Sequence, residues 1–480
     1  MEPRKREPFV WEIPIGFVDG MAVPGVVFSA DEQFEKTLED GAATQVANVA
    51  TLPGIVEASY AMPDVHRGYG FPVGGVAATD VEAGGVISPG GVGFDIGCGV
   101  RLIRSDLGWD ELRPRLRELT LALARRIPRG TGRQGLLPLD RDGLDAVLRQ
   151  GVRYPVGRGA GFQEDAAACE DGGTLPGARP ELVSERARER GAAQLGSLGG
   201  GNHFLEVQVV EEIRDPASAE AMGIFAGQVC VMLHTGSRGI GHQICTDYVR
   251  EFDRRMPETR IKVPDRQLGC LPVSHEAAQR YLGAMAAAGN FALANRQALT
   301  DGLRATFAEV LGRSARDLGL AVVYDVSHNL AKLEDHQVDG ATRRLCVHRK
   351  GATRALGPGH PSLPDPYRTT GQPVTIPGSM GSGSYLLVGA ATSEARSFGS
   401  TCHGAGRAMS RTRSKKVMSG RDLQRQLERE GIVVAASNVK LLGEEAPHAY
   451  KDPSVVVETC ERVGLSRVVA RLRPAGVVKG

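Results

Sequence analysis

The sequence predicts an α+β fold in which mixed or antiparallel sheets surround a central cleft and helices flank them. Three observations support this. Short apolar segments between Gly/Pro turns are typical of strands, a few charged or alanine-rich segments are typical of helices, and glycine-rich polar motifs recur at strand ends. Because these motifs are spread along the whole chain, we expect one large domain over residues 1–480.

The strands are predicted from apolar runs bounded by turn residues. In chain order they cover residues 55–60, 74–78, 100–105, 205–210, 229–233, 320–326, 385–388 and 432–434. Charged amphipathic segments predict helices at 110–126 and 421–430. An alanine-rich segment predicts a helix over 275–311 with Ser274 as its N-cap, and its small residues would let it pack closely against a neighbour.

Residues 128–180 are rich in Gly, Pro and Arg. We expect a variable surface excursion there, with little structure of its own.

The composition argues against several classes of protein. A net charge of +2 gives no overall attraction to nucleic acid, although residues 343–354 and 401–416 are two basic runs that either face solvent or contact RNA. The eight cysteines include no CxxC pair, which disfavours zinc ribbons and favours reduced thiols in a cytoplasmic protein. No apolar run approaches the length of a membrane span, so no membrane contact is expected.

Four histidines share one kind of setting. His203, His234, His328 and His403 each lie beside glycines and polar residues at a predicted strand end. A lone histidine is more often structural than a ligand, but four in one setting indicate a cleft at the edge of a sheet.

The glycine-rich segment 93–101 supplies anionic partners for these histidines. Asp95 and Cys98 lie three residues apart in a tight loop, and a thiolate can bridge two metal ions. We therefore predict a catalytic two-metal cluster formed by Asp95, Cys98, His203, His234 and His328. These donors suit zinc, manganese, iron or cobalt equally. The alternative is that Cys98 is a small buried residue and Asp95 a turn former.

Other polar segments could complete such a site. Asp64 and His66 could orient the metal ligands, or Asp64 could form an Asx turn. The segments 377–384 and 403–406 could cradle a phosphate, yet there is no P-loop and no lysine in a KxDG setting. If the protein binds a nucleotide covalently, histidine is therefore the favoured acceptor. The apolar residues before Lys479 indicate that the C-terminal tail docks.

Taken together, the motifs resemble those of the RtcB RNA ligases. The segments MPDVHRGYGFPVGG, GGVGFDIGCGVR, LGSLGGGNHFLE, HTGSRGIGHQ, DVSHN, PGSMGSGSYL, CHGAGR, AYKD and GVVKG follow in the family's order from about residue 60 to the last residue. The resemblance implies a ligase that joins 3′-phosphate or 2′,3′-cyclic phosphate RNA ends to 5′-hydroxyl ends in tRNA splicing or RNA repair. It also implies GTP, two Mn²⁺ ions and an RNA(3′)pp(5′)G intermediate.

The resemblance also assigns roles to residues. Asp95, Cys98 and His203 would bind one metal ion, Cys98, His234 and His328 the other, and His403 would accept GMP. The guanine nucleotide would be held by Asn202, His203, Phe204, Leu205, Glu206, His328, Asn329, Pro377, Gly378, Ser379, Met380, Ser384, His403, Gly404, Ala405, Gly406, Tyr450 and Lys479. RNA phosphates would be bound by Arg238, Lys350 and Arg411.

Two other functions remain open on the residues alone. A metal-dependent phosphoesterase could use the same cluster but would not require His403 or Lys479. A non-enzymatic RNA-binding factor could rely on the two basic runs, but it has no use for five converging metal donors. The preference for GTP over ATP rests on the resemblance alone, which leaves open whether a protein partner activates the enzyme.

Overall fold

In the computed structural model, which describes residues 1–130, 132 and 134–480, strands make up two large sheets and two short ones. In chain order the strands are β1 Arg4–Glu7, β2 Val10–Ile13, β3 Gly25–Phe28, β4 Ser59–His66, β5 Val73–Asp80, β6 Val86–Ile87, β7 Gly99–Gly108, β8 Phe204–Ile213, β9 Gln228–Thr235, β10 Leu271–Pro272, β11 Ala321–Ser327, β12 Asn329–Val338, β13 Ala341–Lys350, β14 Ala352–Arg354, β15 Pro373–Ile376, β16 Ser384–Gly389, β17 Ser400–Cys402, β18 Val433–Ala436 and β19 Ser466–Lys479.

Helices flank the sheets. They are α1 Asp31–Glu39, α2 Ala42–Val49, α3 Trp109–Leu112, α4 Leu116–Arg126, α5 Arg141–Gln150, α6 Arg153–Gly157, α7 Glu185–Gly191, α8 Pro216–Met222, α9 Arg238–Thr259, α10 Glu276–Leu311, α11 Ser393–Ser397, α12 Arg411–Val417, α13 Gly420–Arg429, α14 Val439–Leu442 and α15 Pro453–Arg462. Among the described residues, no helix combines the length and apolar character that crossing a bilayer requires.

The two large sheets are mixed and mostly antiparallel, which confirms the predicted α+β class. The first has the strand order β1-β2-β3-β4-β5-β13-β12, and the second β11-β7-β9-β8-β19-β16-β15 with β18 paired to β19. The pairs β3–β4 and β18–β19 are parallel. The chain passes from the second sheet to the first at His328, which lies between the end of β11 and the start of β12.

Helix α10 is the longest element and packs behind the second sheet. Its prediction is confirmed, but His275 rather than Ser274 is the N-cap, and the ring nitrogen Nδ1 of His275 accepts a hydrogen bond from Ala277. Its small residues allow close approach as expected. A Cβ atom added to Gly97 would lie 2.9 Å from Cβ of Ala292 and 3.0 Å from Cα of Gly289, both on this helix.

The prediction for residues 128–180 is wrong in one respect. Helices α5 and α6 lie there, and Asp140 caps α5 by accepting a hydrogen bond from Gly143. Leu144, Val147 and Leu148 form one face of α5 and are buried in the core. This spacing is that of an amphipathic helix, and it was obscured by the surrounding Gly and Pro residues.

Other predicted boundaries shift for physical reasons. The strand expected at 55–60 begins at Ser59 and runs to His66. The helix expected at 110–126 is interrupted by a 3₁₀ turn over Arg113–Arg115, where Pro114 provides no backbone N–H.

The eight cysteines, all in the described part of the chain, are buried and unpaired.

Candidate active site

The predicted metal donors come together because their strands are neighbours in the second sheet. Val100, two residues after Cys98, is paired with His234, and His234 with Phe204, the residue after His203. The backbone N–H of His328 donates a hydrogen bond to the carbonyl oxygen of Cys98, 2.8 Å away. The four donors therefore lie at one edge of the sheet.

Their side-chain atoms form two overlapping groups that share Cys98. Its Sγ atom lies 3.3 Å from Nε2 of His234 and 3.4 Å from Nε2 of His203. The Nε2 atoms of His234 and His328 are 3.4 Å apart, and Nε2 of His203 lies 2.9 Å from Oδ2 of Asp95. Each group, Cys98-His234-His328 and Asp95-Cys98-His203, is compact enough to hold a metal ion.

The pKa values of these side chains are compatible with the binding of a metal cation. Burial holds the pKa of His234 and of His328 well below the usual range, and nearby positive side chains add to this, so both rings are neutral as metal ligands must be. Burial raises the pKa of Asp95, but His203, together with Arg238 and Cys98, outweighs it and lowers that pKa to about 2. Burial raises the pKa of the Cys98 thiol well above its usual value, a shift that a coordinated dication would reverse.

His203 makes a contact that a metal ion would alter. Nη1 of Arg238 lies 3.0 Å from Nδ1 of His203. Because a guanidinium can only donate, this contact leaves the ring hydrogen on Nε2, facing Asp95. For His203 to bind a cation through Nε2, the hydrogen moves to Nδ1 and Arg238 turns away.

His403 follows β17 and faces the same cluster. Its ring centroid lies 4.8 Å from that of His328. Its Nδ1 atom is 2.5 Å from Oδ2 of Asp64, and that oxygen also accepts hydrogen bonds from the backbone N–H groups of His403 and Gly404. Burial raises the pKa of Asp64, but the charge and hydrogen bonds of His403 outweigh it and lower that pKa. Asp64 therefore orients His403, so that Nε2 is the free nitrogen of the ring.

His66 lies beside this pair and contacts the backbone of Asp64. Its Nδ1 atom is 3.0 Å from the backbone oxygen of Asp64, and burial lowers its pKa to about 4. The sequence left open whether Asp64 and His66 orient the metal ligands; the structure places Asp64 against His403 instead.

A cavity of about 390 Å³ opens over the cluster and His403. Most residues that the sequence assigned to a nucleotide line it: Asn202, Phe204, Glu206, His328, Asn329, Pro377, Gly378, Ser379, Met380, His403, Gly404, Ala405, Gly406, Tyr450 and Lys479. Leu205 points to the opposite face of β8 and is buried in the core there. Ser384 lies below the cavity, where its Oγ atom accepts hydrogen bonds from Gly378 and Gln208.

Glu445 and Arg407 also line the cavity, and sequence reasoning missed both as site residues. Nη1 of Arg407 lies 3.1 Å from Oε2 of Glu445 and 3.1 Å from the hydroxyl of Tyr450, which itself contacts Glu445. The GAGR motif contained Arg407, but no motif pointed to Glu445.

The expected RNA-binding side chains differ in how free they are. Arg411 is half exposed at the rim and donates to Glu445 at 2.9 Å. The ammonium of Lys350 is buried and donates to the carbonyl oxygens of Tyr69 and Phe71, and burial lowers its pKa to about 7. Arg238 faces His203 as described above.

The C-terminal tail docks as expected. Lys479 ends β19, is paired with Phe204 in the sheet and is 4% exposed. Its Nζ atom lies 5.7 Å from the centroid of the Phe204 ring. The last strand thus brings a buried cation to the cavity.

Several known proteins are similar in sequence to this chain along most of its length. The family model described as tRNA-splicing ligase RtcB matches residues 45–480. A protein named tRNA-splicing ligase RtcB from Archaeoglobus fulgidus is 51% identical over 477 residues, which cover 99% of this chain and 98% of the relative. One with the same name from Thermococcus kodakarensis is 50% identical over 100% of this chain and 99% of its own length. A protein named RNA-splicing ligase RtcB from Mycobacterium tuberculosis is 54% identical over 91% of this chain and 100% of its own length.

Proposed function

The chain belongs to the RtcB family of RNA-splicing ligases, and we propose that this RNA ligase joins a 3′-phosphate or 2′,3′-cyclic phosphate end to a 5′-hydroxyl end, using GTP and manganese. The observation that supports this best is the placement of His403 at the same cavity as both metal groups. A histidine fixed beside a metal cluster can transfer a nucleotide to an RNA end bound at the same place. Hydrolysis alone would not need it.

The first step is the attack of His403 on GTP. Nδ1 of His403 faces the carboxylate of Asp64, so the lone pair of Nε2 is available to the α-phosphorus. A nitrogen–phosphorus bond forms, the bond to the β-phosphate oxygen breaks, and pyrophosphate leaves. Asp64 stabilises the positive charge that develops on the ring, as a carboxylate does for a catalytic imidazole.

The next steps pass GMP to RNA. An oxygen of the RNA 3′-phosphate attacks the phosphorus of the histidine-bound GMP, and His403 leaves. The oxygen of the 5′-hydroxyl then attacks the activated 3′-phosphorus and its proton passes to solvent. The phosphodiester forms, the bond from that phosphorus to the bridging oxygen of GMP breaks, and GMP leaves. Two bound manganese ions would neutralise charge on the reacting phosphates and activate water to open a cyclic phosphate.

The cavity supplies the remaining contacts. The N–H groups of Gly378, His403 and Gly404 already donate to Ser384 and Asp64. Phosphate oxygens would therefore be bound by other N–H groups of these two turns, such as those of Ala405 and Gly406. Lys479 brings a positive charge, and the buried carboxylate of Glu206 is an acceptor for a nucleobase. Arg238, Lys350 and Arg411 are proposed for RNA phosphates, which requires Arg238 and Lys350 to exchange their present partners. We further propose that residues 1–480 act as one domain, in the cytoplasm, where eight unpaired cysteines stay reduced.

Covalent labelling tests the proposal. Wild type incubated with Mn²⁺ and GTP labelled at the α-phosphate should acquire an acid-labile, base-stable label. His403→Ala should acquire none, whereas the matched control His360→Ala, whose ring pairs with Glu394 outside the cavity, should be labelled like wild type. Absence of label in wild type, or label retained in His403→Ala, would refute histidine-linked transfer. Parallel joining assays with ATP and with other divalent metals would test GTP and manganese.

A further inference from the structure

Arg296 lies in the middle of α10 and is completely buried, with no exposed surface. Burying a guanidinium is costly unless each of its N–H groups has a partner. Asp325 on β11 supplies the opposite charge: Nη2 of Arg296 lies 2.8 Å from Oδ1 of Asp325, and Nε donates to the same carboxylate. The remaining donors of Arg296 are directed elsewhere.

Those donors reach residues at or next to the ends of three different strands. Nη1 donates to the carbonyl oxygens of Gly97 and Thr235, each 2.9 Å away. Nη2 donates to Oγ of Ser327 at 3.3 Å. All five N–H groups of the guanidinium therefore have partners.

Each of these three partners is the chain neighbour of a metal donor. Gly97 precedes Cys98, Thr235 follows His234, and Ser327 precedes His328. These are the three donors of one of the two metal groups. We propose that Arg296 is a positioning residue, which sets the spacing of the Cys98, His234 and His328 donors before a metal ion binds.

The geometry explains why arginine serves here. The planar guanidinium directs rigid donors in several directions at once, so that one side chain fixes three strand ends relative to a helix. A lysine ammonium is a compact charge with three donors and cannot span the same four partners. The inference rests on the proposed metal-dependent function, because positioning matters only if those donors bind a cation.

A purely structural role is the alternative, and Arg304 provides the comparison. Arg304 lies two turns further along α10, is 3% exposed and is paired with the buried Asp165. Its Nε donates to the carbonyl oxygen of Leu320 and its other nitrogens to Asp165, and neither residue adjoins a proposed metal donor. Replacing Arg304 by Lys therefore disturbs a buried ion pair of the same helix without touching the strand ends that carry the proposed metal donors.

Titration of metal-free protein with Co²⁺, without nucleotide or RNA, tests the inference. Co²⁺ bound to Cys98 should give a thiolate-to-cobalt absorption band. In Arg296→Lys we expect the Co²⁺ affinity to fall about 10–100-fold, the effect typical of residues that orient metal ligands. Arg304→Lys should keep wild-type Co²⁺ affinity even if its unfolding temperature falls. Wild-type Co²⁺ affinity in Arg296→Lys, or an equal loss in Arg304→Lys, would overturn the inference.

A milder variant covers the case in which Arg296→Lys does not fold. Ser327→Ala removes one of the four partners and no charge, and we expect a smaller loss of Co²⁺ affinity, with the fold retained. Unchanged Co²⁺ affinity in folded Ser327→Ala would overturn the inference in that case. The outcome is distinct from failure of the proposed function: wild type that shows no thiolate-to-cobalt band, or the same band in Cys98→Ala, contradicts the metal centre itself.

Discussion

Replacing Gly97 by Ala should disrupt the proposed metal site without changing any donor side chain. Gly97 has φ = +71°, a conformation that disfavours a residue with a Cβ atom. The added Cβ would also lie 2.9 Å from Cβ of Ala292 on α10. Since Cys98 is the next residue, any shift that relieves this contact moves the proposed bridging thiol.

Gly84 is a control that separates the cost of a Cβ atom at positive φ from the cost of the close contact with α10. It has φ = +79° and is exposed, and no atom lies within 4 Å of an added Cβ. Gly84→Ala therefore carries only the conformational cost of about 1–2 kcal/mol, offset by about 0.4–1 kcal/mol from the less flexible unfolded chain. Gly97→Ala carries the same terms and an overpacking cost of about 1–3 kcal/mol. The free energies of unfolding of the two variants should therefore differ by this overpacking cost of about 1–3 kcal/mol.

Denaturant unfolding and Co²⁺ titration check this together. Gly97→Ala should unfold at lower denaturant than Gly84→Ala and should bind Co²⁺ more weakly, whereas Gly84→Ala should bind Co²⁺ as wild type does. Equal stability of the two variants, with full Co²⁺ binding in Gly97→Ala, would refute the view that close packing against α10 fixes the Cys98 loop.

Two further predictions concern Asp64 and Glu206. Asp64→Asn removes the charge that faces Nδ1 of His403, so labelling by GTP should slow about a hundredfold or more, with Co²⁺ binding unchanged; a wild-type labelling rate would contradict the role of Asp64. Burial raises the pKa of Glu206 from 4.5 to about 7, so the folded protein holds that proton more tightly, and the stability this contributes is lost as the pH rises through about 7. The free energy of unfolding should therefore fall less steeply between about pH 5 and pH 8 in Glu206→Gln than in wild type, and equal slopes would show that Glu206 is not the titrating group.

The proposed metal donors could be picked out from the sequence because each lies in a local pattern. Asp95 and Cys98 share one tight loop. His203 directly precedes an apolar strand, His234 lies near the end of one, and His328 follows one. Local patterns of this kind can be recognised in the sequence without knowledge of the fold. The structure adds the reason they meet, which is that β11, β7, β9 and β8 are adjacent in one sheet.

Contacts between distant segments could not be predicted in this way. Asp64 and His403 are 339 residues apart, and nothing near either residue indicates the other. Glu445 lies in an unremarkable acidic pair, and Arg296 in an alanine-rich helix whose periodicity indicates only burial. Helix α5 was missed for a different reason, since its short amphipathic pattern lies between segments rich in Gly and Pro.

Strand pairing and backbone hydrogen bonds bring the proposed metal donors together, although His203 must still release Arg238 before it can bind a cation. In small zinc domains the cation supplies the folding energy, because their ligands do not converge without it. Here the backbone of His328 is bonded to Cys98, and strand pairing aligns His234 with Val100. A preformed site loses little conformational entropy when it binds a cation, so its donors can leave coordination positions open for phosphate oxygens. The proposed nucleotidyl transfer at a two-metal centre would require such open positions, so the rigid strand ends would then serve the reaction as well as the fold.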